Sequence, residues 1–309
     1  MMKKEHCFIP SGDGKTKLHV NLWEPDGGEI RAVLQLVHGM AEHIERYHEF
    51  AAYLTAHKIA VIGHDHLGHG QSIADKQDLG FFAEKGGHRI ALEDIYRVTC
   101  FGKERFADKP WFILGHSMGS FMVRNYLTDH SDELSGAIVM GTGQIPAALA
   151  NAGKMVAGVI KAIKGDHYRS GLLLAMSTGG YNKVFEPAKT SADWLSRNEE
   201  NCDRYVADEL CGFTFTTAAY RDFFTVLTEL AAGKGYDRIR RDLPILLNAG
   251  EKDPVGGAKA VPKVYDQYKA MGMKDVALQL YPEDRHEILN ELDREKVYDD
   301  ILVWMVSKL

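Results

Sequence analysis

Ser117 stands in Gly115-His116-Ser117-Met118-Gly119, directly after the apolar run Phe112-Ile113-Leu114 and before a stretch carrying Phe121, Met122, Val123, Tyr126 and Leu127. That order reads as a strand, a tight turn and a helix. On such a turn the small residues two before and two after the serine relieve backbone crowding. Oγ is lifted above the sheet edge, beside the N–H groups of the helix's first turn. A serine hydroxyl becomes a nucleophile only when a base takes its proton, and that base needs a carboxylate to orient it. Asp253 lies in Gly250-Glu251-Lys252-Asp253-Pro254, after the apolar run 244–249. His286 lies in Pro282-Glu283-Asp284-Arg285-His286-Glu287, after the run 276–281. Nucleophile, acid and base thus come in chain order, each at a strand's C-terminal end, where open parallel sheets place their ligands. The tetrahedral intermediate of acyl transfer needs two N–H donors aimed at its oxyanion. The backbone N–H of Met118 follows the serine, and that of Met40, in His38-Gly39-Met40 after the run 32–37, is the second candidate.

Positioning these groups takes a sheet, and the hydropathy pattern supplies one. Residues 5–24 read as a hairpin, with Leu18, Val20 and Leu22 alternating with His19 and Asn21. Ala32–Val37, Ile59–Ile62, 111–114, Gly136–Met140, 244–249 and Val276–Tyr281 are nearly continuous apolar runs, the pattern of strands covered on both faces. Helical periodicity fills the gaps at 47–57, 89–106, 121–127, 261–271 and 288–306. The alternation predicts an α/β fold, a mostly parallel central sheet with helices on both faces. It breaks after Gly141-Thr142-Gly143 and resumes near residue 243. The expected organisation is a core of 1–142 and 221–309 with a helical cap inserted at 143–220.

Composition narrows the class. The 309 residues carry 37 basic and 43 acidic side chains, a net charge of −6, and no basic block of the kind that grips nucleic acid. No apolar run approaches membrane-spanning length, and the first ten residues lack the apolar core of a signal peptide. Cys7, Cys100, Cys202 and Cys211 show no Cys-x-x-Cys spacing, so they read as reduced thiols of a cytoplasmic protein.

Other residue patterns compete for attention. Glu251 shares the loop of Asp253 and reads as a solvent-facing neighbour. His64, His66 and His69 crowd six positions, which invites a metal, yet hydrogen bonding within a packed loop is the simpler expectation. His38 and His116 border the site and are expected to shape it. Ala152, Met155, Val156, Val159, Ile160 and Ile163 share one helical face, with Lys154, Lys161 and Lys164 opposite. That face is expected to pack over the acyl site, with weak contact to a membrane or micelle surface as a further role. The acidic stretch 193–209 reads as a solvated face, although Glu199, Glu200 or Asp203 could hold a substrate amine.

Taken together, His38-Gly39-Met40-Ala41-Glu42-His43, His64-Asp65-His66-Leu67-Gly68-His69-Gly70-Gln71-Ser72, Gly115–Gly119 and the Asp253 and His286 loops resemble the monoglyceride lipase/lysophospholipase branch of the α/β-hydrolases, often grouped with serine aminopeptidase-type hydrolases. The resemblance implies a carboxylic ester hydrolase of the α/β-hydrolase fold with a cap above the site, acting without metal or cofactor. It carries over Ser117, Asp253 and His286 as the triad and Met40 and Met118 as oxyanion donors. The cap matches the family only in patches, at 205–213 and 220–222. The implied substrates are monoacylglycerols, lysophospholipids or other small single-chain esters. A peptidase, amidase or thioesterase on the same triad is the alternative, and a non-catalytic ligand-binding homologue ranks below these.

Overall fold

A computed structural model describes residues 2–309. Chains of consecutive apolar residues must be covered on both faces, and every residue of β3 (Ala32–Val37), β4 (Ile59–His64), β5 (Trp111–His116), β6 (Gly136–Met140) and β7 (Ile245–Gly250) is buried. Burial of each Val, Leu or Ile there contributes about 1.5–3 kcal/mol, largely offset by chain ordering. With the hairpin β1 (Met2–Pro10) and β2 (Lys17–Pro25) and the half-buried edge strand β8 (Val276–Tyr281), they form one eight-stranded sheet. Its order is β1-β2-β4-β3-β5-β6-β7-β8. The first two pairings are antiparallel and the remaining five parallel.

Among the described residues there are nine α-helices: α1 (His48–Ala56), α2 (Gly87–Arg105), α3 (Met118–His130), α4 (Ala147–Lys164), α5 (Gly171–Ser177), α6 (Glu199–Ala207), α7 (Thr217–Ala231), α8 (Gly257–Ala270) and α9 (Arg294–Val306). Phe50, Leu54, Tyr298 and Ile301 place α1 and α9 on one face of the sheet. Ile95, Val98, Met122, Val123, Val261 and Val264 place α2, α3 and α8 on the other. The mostly parallel α/β architecture is therefore the one the hydropathy pattern predicts. The C-terminal helix is shorter than expected: residues 288–290 form one 3-10 turn, and α9 begins at Arg294. The buried carboxylate of Glu291 explains the delay, because it accepts the backbone N–H of Arg197 (3.1 Å) and Arg285 (2.9 Å) and so holds the chain in a loop.

Between β6 and β7 the chain forms α4, α5, α6 and α7. Thr216 bonds back to Gly80 through both its N–H and hydroxyl, each at 2.9 Å, and α7 packs on α4, α3 and α2. Here the expected apolar face of α4 is only partly met: Val156 and Ile160 pack half-buried against the core, but the buried stripe is rotated away from Met155, Val159 and Ile163. The face that packs on α7 carries Ala150, Gly153 and Ala157, all buried, and a Cβ on Gly153 would stand 2.6 Å from the Phe224 ring. Small residues let two helix backbones approach closely, which turns the larger side chains outward. Met155 (66%), Val159 (54%) and Ile163 (72%) are exposed, and Lys161 folds back to the Glu84 carbonyl at 2.7 Å.

Candidate active site

At the end of β5 the chain must reverse within one residue to enter α3, and Ser117 takes φ 53° and ψ −121° to do it. Such a conformation costs a non-glycine residue on the order of 1–3 kcal/mol and persists where the surroundings fix it. Here Ser117 N–H donates to the Met140 carbonyl at 3.0 Å, pinning the turn to β6. Gly119 leaves no room for a side chain, since a Cβ would meet the Val37 carbonyl at 2.1 Å. The loop after β3 runs equally close: a Cβ on Gly39 would lie 3.0 Å from Ser117 Cβ. Met118 is the first residue of α3, where N–H groups have no intrahelical acceptor, and Met40 follows Gly39 in the loop.

The loops after β7 and β8 knit together, with Lys252 N–H donating to the Asp284 carbonyl at 3.0 Å and Glu251 N–H to Tyr281 at 2.8 Å. This brings His286 Nδ1 to 3.0 Å from Asp253 Oδ1, both groups buried. The N–H is not aligned on that oxygen: Oδ1 accepts Val255 N–H at 2.8 Å, while Nδ1 and Asp253 Oδ2 are buried without partners. The His286 ring lies between His116 (centroids 4.8 Å) and Trp194 (4.9 Å). Ser117, Met40, Met118 and His286 all line one cavity of about 820 Å³, whose walls include Leu149, Leu174, Phe213, Phe223 and Leu227. Glu199, Glu200 and Asp203 do not line it; Glu199 and Asp203 each pair with Lys189 at 3.1 Å, and Glu200 pairs with Arg204.

The buried histidines hold the loops. His66 N–H donates to His38 Nε2 at 2.9 Å, so the His38 proton sits on Nδ1 and goes to the Gly39 carbonyl at 2.8 Å. Burial drives the pKa of His38 and His64 well below the usual value and those of His66 and His69 to about 4 and about 3, so all four are neutral at pH 7. His69 packs among Phe82, Phe213 and Phe215. Among the described residues the donor atoms of His64, His66 and His69 do not converge on one point; those of His43, Asp208 and Cys211 lie within 4.8 Å of one another, with His43 Nε2 bonded to Asp208 Oδ2 at 2.8 Å.

One charged network was not legible in the sequence beyond the i,i+4 pair Glu42–Arg46. Arg46 donates to Glu42 (2.8 Å) and in two-pronged fashion to Glu287 (2.6 and 2.7 Å), the residue after His286. Asn201 of α6 donates to the same Glu287 at 2.7 Å. Glu42 also accepts Gly39 N–H (2.6 Å) and the Tyr47 hydroxyl (3.0 Å), and lies 3.2 Å from His116 Nδ1. Burial pushes the Glu42 carboxyl up, but the His116 hydrogen bond and the Arg46 charge outweigh it and hold it well below the usual range. Burial likewise opposes charge on His116, and Glu42 outweighs it, raising the imidazole. His116 Nε2 in turn contacts the His286 carbonyl at 3.3 Å. The network therefore joins the loop of Gly39 and Met40, the elbow, the His286 loop and α6.

A strained serine elbow on a parallel sheet, with a His–Asp pair on the following strand ends, defines an α/β-hydrolase. Residues 28–293 match the family described as serine aminopeptidase, S33, and the chain belongs to that hydrolase family. It is 28% identical to a monoacylglycerol lipase of Mycolicibacterium smegmatis, over 99% of this chain and 98% of that one. It is 25% identical to human monoglyceride lipase, over 97% and 90% of the two chains. Among solved structures, a thermostable carboxyl esterase from Bacillus coagulans in complex with glycerol superposes with a TM-score of 0.90 at 27% identity, covering 99% of both chains. A monoglyceride lipase from Saccharomyces cerevisiae shares the fold with a TM-score of 0.76 at 18% identity, over 98% and 95%.

Proposed function

We propose that this protein is a carboxylic ester hydrolase acting on monoacylglycerol-type, single-chain lipid esters through an acyl-enzyme on Ser117. The observation that carries the reading is one apolar cavity of about 820 Å³ into which both Ser117 and His286 open. Its size falls in the ~300–1,000 Å³ range that encloses small organic ligands. The esterase and lipase relatives that align end to end support it.

In this scheme His286, oriented by Asp253, takes the proton of Ser117 as Oγ attacks the ester carbonyl. The N–H groups of Met40 and Met118 stabilise the oxyanion. His286 then protonates the leaving alcohol, and a water, deprotonated by the same imidazole, releases the acid. Residues 143–220 act as the cap, with Leu149 and Leu174 against the acyl chain. The outward face of α4 makes weak contact with a membrane or micelle surface. Lysophospholipids are a second substrate class of the same geometry. The four free thiols suit a reducing, cytoplasmic setting, and no described helix is long and apolar enough to cross a membrane. The peptidase alternative is not favoured, because Glu199, Glu200 and Asp203, the acids expected to hold a substrate amine, are not in the cavity wall and are paired with Lys189 and Arg204.

The test is hydrolysis of p-nitrophenyl esters from two to sixteen carbons, with an aminoacyl anilide and an acyl thioester in parallel and Ser117→Ala as control. A serine-dependent maximum at medium or long chains is expected. A maximum at two to four carbons, or a faster anilide, would overturn the lipid-ester reading.

A further inference from the structure

A second pocket, of about 210 Å³, opens behind the elbow helix at the root of α4. Its floor is Arg124 of α3, only 2% exposed. A buried guanidinium is costly unless an anion compensates it. Yet among the described residues Arg124 meets no carboxylate: Nη1 donates to the Gly143 carbonyl (2.7 Å) and Thr142 Oγ1 (3.3 Å), and Nε is buried with no partner at all. The Phe121 ring centroid lies 5.9 Å from the charge, and the neutral Tyr268 hydroxyl stands beside it.

Two further features converge on the same space. Residues 143–147 line the pocket, so the N-terminus of the eighteen-residue α4 points into it. No side chain caps that end, and the first N–H groups taken up within the turn are those of Leu149 and Ala150, both by the Pro146 carbonyl. Unpaired N–H groups and the positive end of the helix dipole favour negative charge there. Across the opening, α8 contributes Lys263, exposed at the rim and forming no ion pair among the described residues, and Gln267 one turn on. Three sources of positive potential and an amide thus surround a volume several times the ~30 Å³ share of one liquid water.

We propose that this pocket is a binding site for a small oxyanion, a carboxylate or a phosphate, distinct from the ester site. Phe121, Ile145 and Leu227 belong to both cavities, so the bound anion sits one side-chain layer away from the acyl cavity. It also sits against Gly143, at a close crossing of two loops: a Cβ on Gly256 of the Asp253 loop would meet the Thr142 carbonyl at 2.0 Å, and one on Gly143 the Val255 carbonyl at 2.7 Å. Occupancy therefore tightens the junction where the chain leaves the core for α4.

The experiment is a 1H–15N titration of the intact protein at constant ionic strength, with inorganic phosphate in one arm and octanoate in the other. Saturable shifts of the Ala147 and Ala148 amides and of the Arg124 Nε–H are expected, with Lys263→Glu weakening the dissociation constant at least about tenfold. Lys263 is exposed, so this variant leaves the fold and the basal ester hydrolysis unchanged. Saturation by phosphate alone assigns a phosphate ligand, and saturation by octanoate with shifts confined to this pocket assigns a carboxylate. Linear, unsaturable shifts with both anions, or equal affinity in Lys263→Glu, would overturn the proposal.

Discussion

Arg46→Met is the sharpest perturbation of the charged network. The substitution keeps most of the aliphatic bulk but removes three hydrogen bonds to carboxylates whose side chains are only 4% exposed. Among the described residues, Glu42 and Glu287 are then left in a buried space with His116 as the remaining counter-charge. Removing one partner of a buried ion pair costs about 3–5 kcal/mol, a large share of a total stability of about 5–15 kcal/mol. The pH dependence follows from the directions of the shifts. In the wild type both carboxyls are held below their ordinary value, so their stabilisation is complete above the unfolded pKa of 4.5 and is lost as pH falls through the lower folded pKa. In the variant the charge and hydrogen bonds that oppose burial at Glu287 are gone, whereas Glu42 keeps its His116 hydrogen bond; the Glu287 carboxyl rises, so the folded state takes up protons first. Its deficit shrinks as pH falls toward 4.5, by about 1.4 kcal/mol per pH unit for each proton taken up. Urea unfolding followed by tryptophan fluorescence between pH 8 and 5 reads this directly, and Arg46→Met/Glu287→Gln should recover about half of the loss at pH 7. A deficit under about 1 kcal/mol at pH 7, or one that does not change with pH, would refute the reasoning.

Three further outcomes are expected. Asp253→Asn should lower kcat by about 10⁴ with the circular dichroism spectrum unchanged, because the imidazole loses its orienting carboxylate. Gly153→Val drives atoms into the Phe224 ring, where Cβ alone would lie at 2.6 Å, and should cost about 1–3 kcal/mol by thermal or urea unfolding as α4 lifts from α7. Val159→Glu, on the exposed face of α4, should reduce co-sedimentation with lipid vesicles while leaving hydrolysis of a water-soluble ester unchanged; unchanged co-sedimentation would remove that face from any surface contact.

The parts of the molecule that could be read from the chain are those whose physics is local. Apolar runs such as 32–37 and 136–140 have no stable alternative to a covered strand, and Gly115 and Gly119 flank a serine that only a cramped turn would need. The neighbourhood of Ser117, Asp253 and His286 was legible because each follows a strand in a sheet whose order is constrained. The Arg46–Glu287 pair joins residues 241 apart and depends on tertiary docking alone, so no spacing signals it. For α4 the periodicity found Val156 and Ile160 but set the face off-centre: hydropathy weights Met155 and Val159 above Ala150 and Gly153, whereas close helix contact selects the small residues. Arg124 was hidden for a related reason. An arginine amid Val123 and Asn125 looks like the polar side of a helix until both flanks are buried.

The central claim is that Ser117 is the nucleophile of an ester hydrolase, and active-site labelling tests it most directly. Treatment with a fluorophosphonate, read by intact mass and peptide mapping, should place one adduct on Ser117, and residual hydrolysis of a monoacylglycerol should fall in step with the labelled fraction. Ser117→Ala should neither label nor turn over. Hydrolysis that survives complete labelling, or persists in Ser117→Ala, would contradict the account.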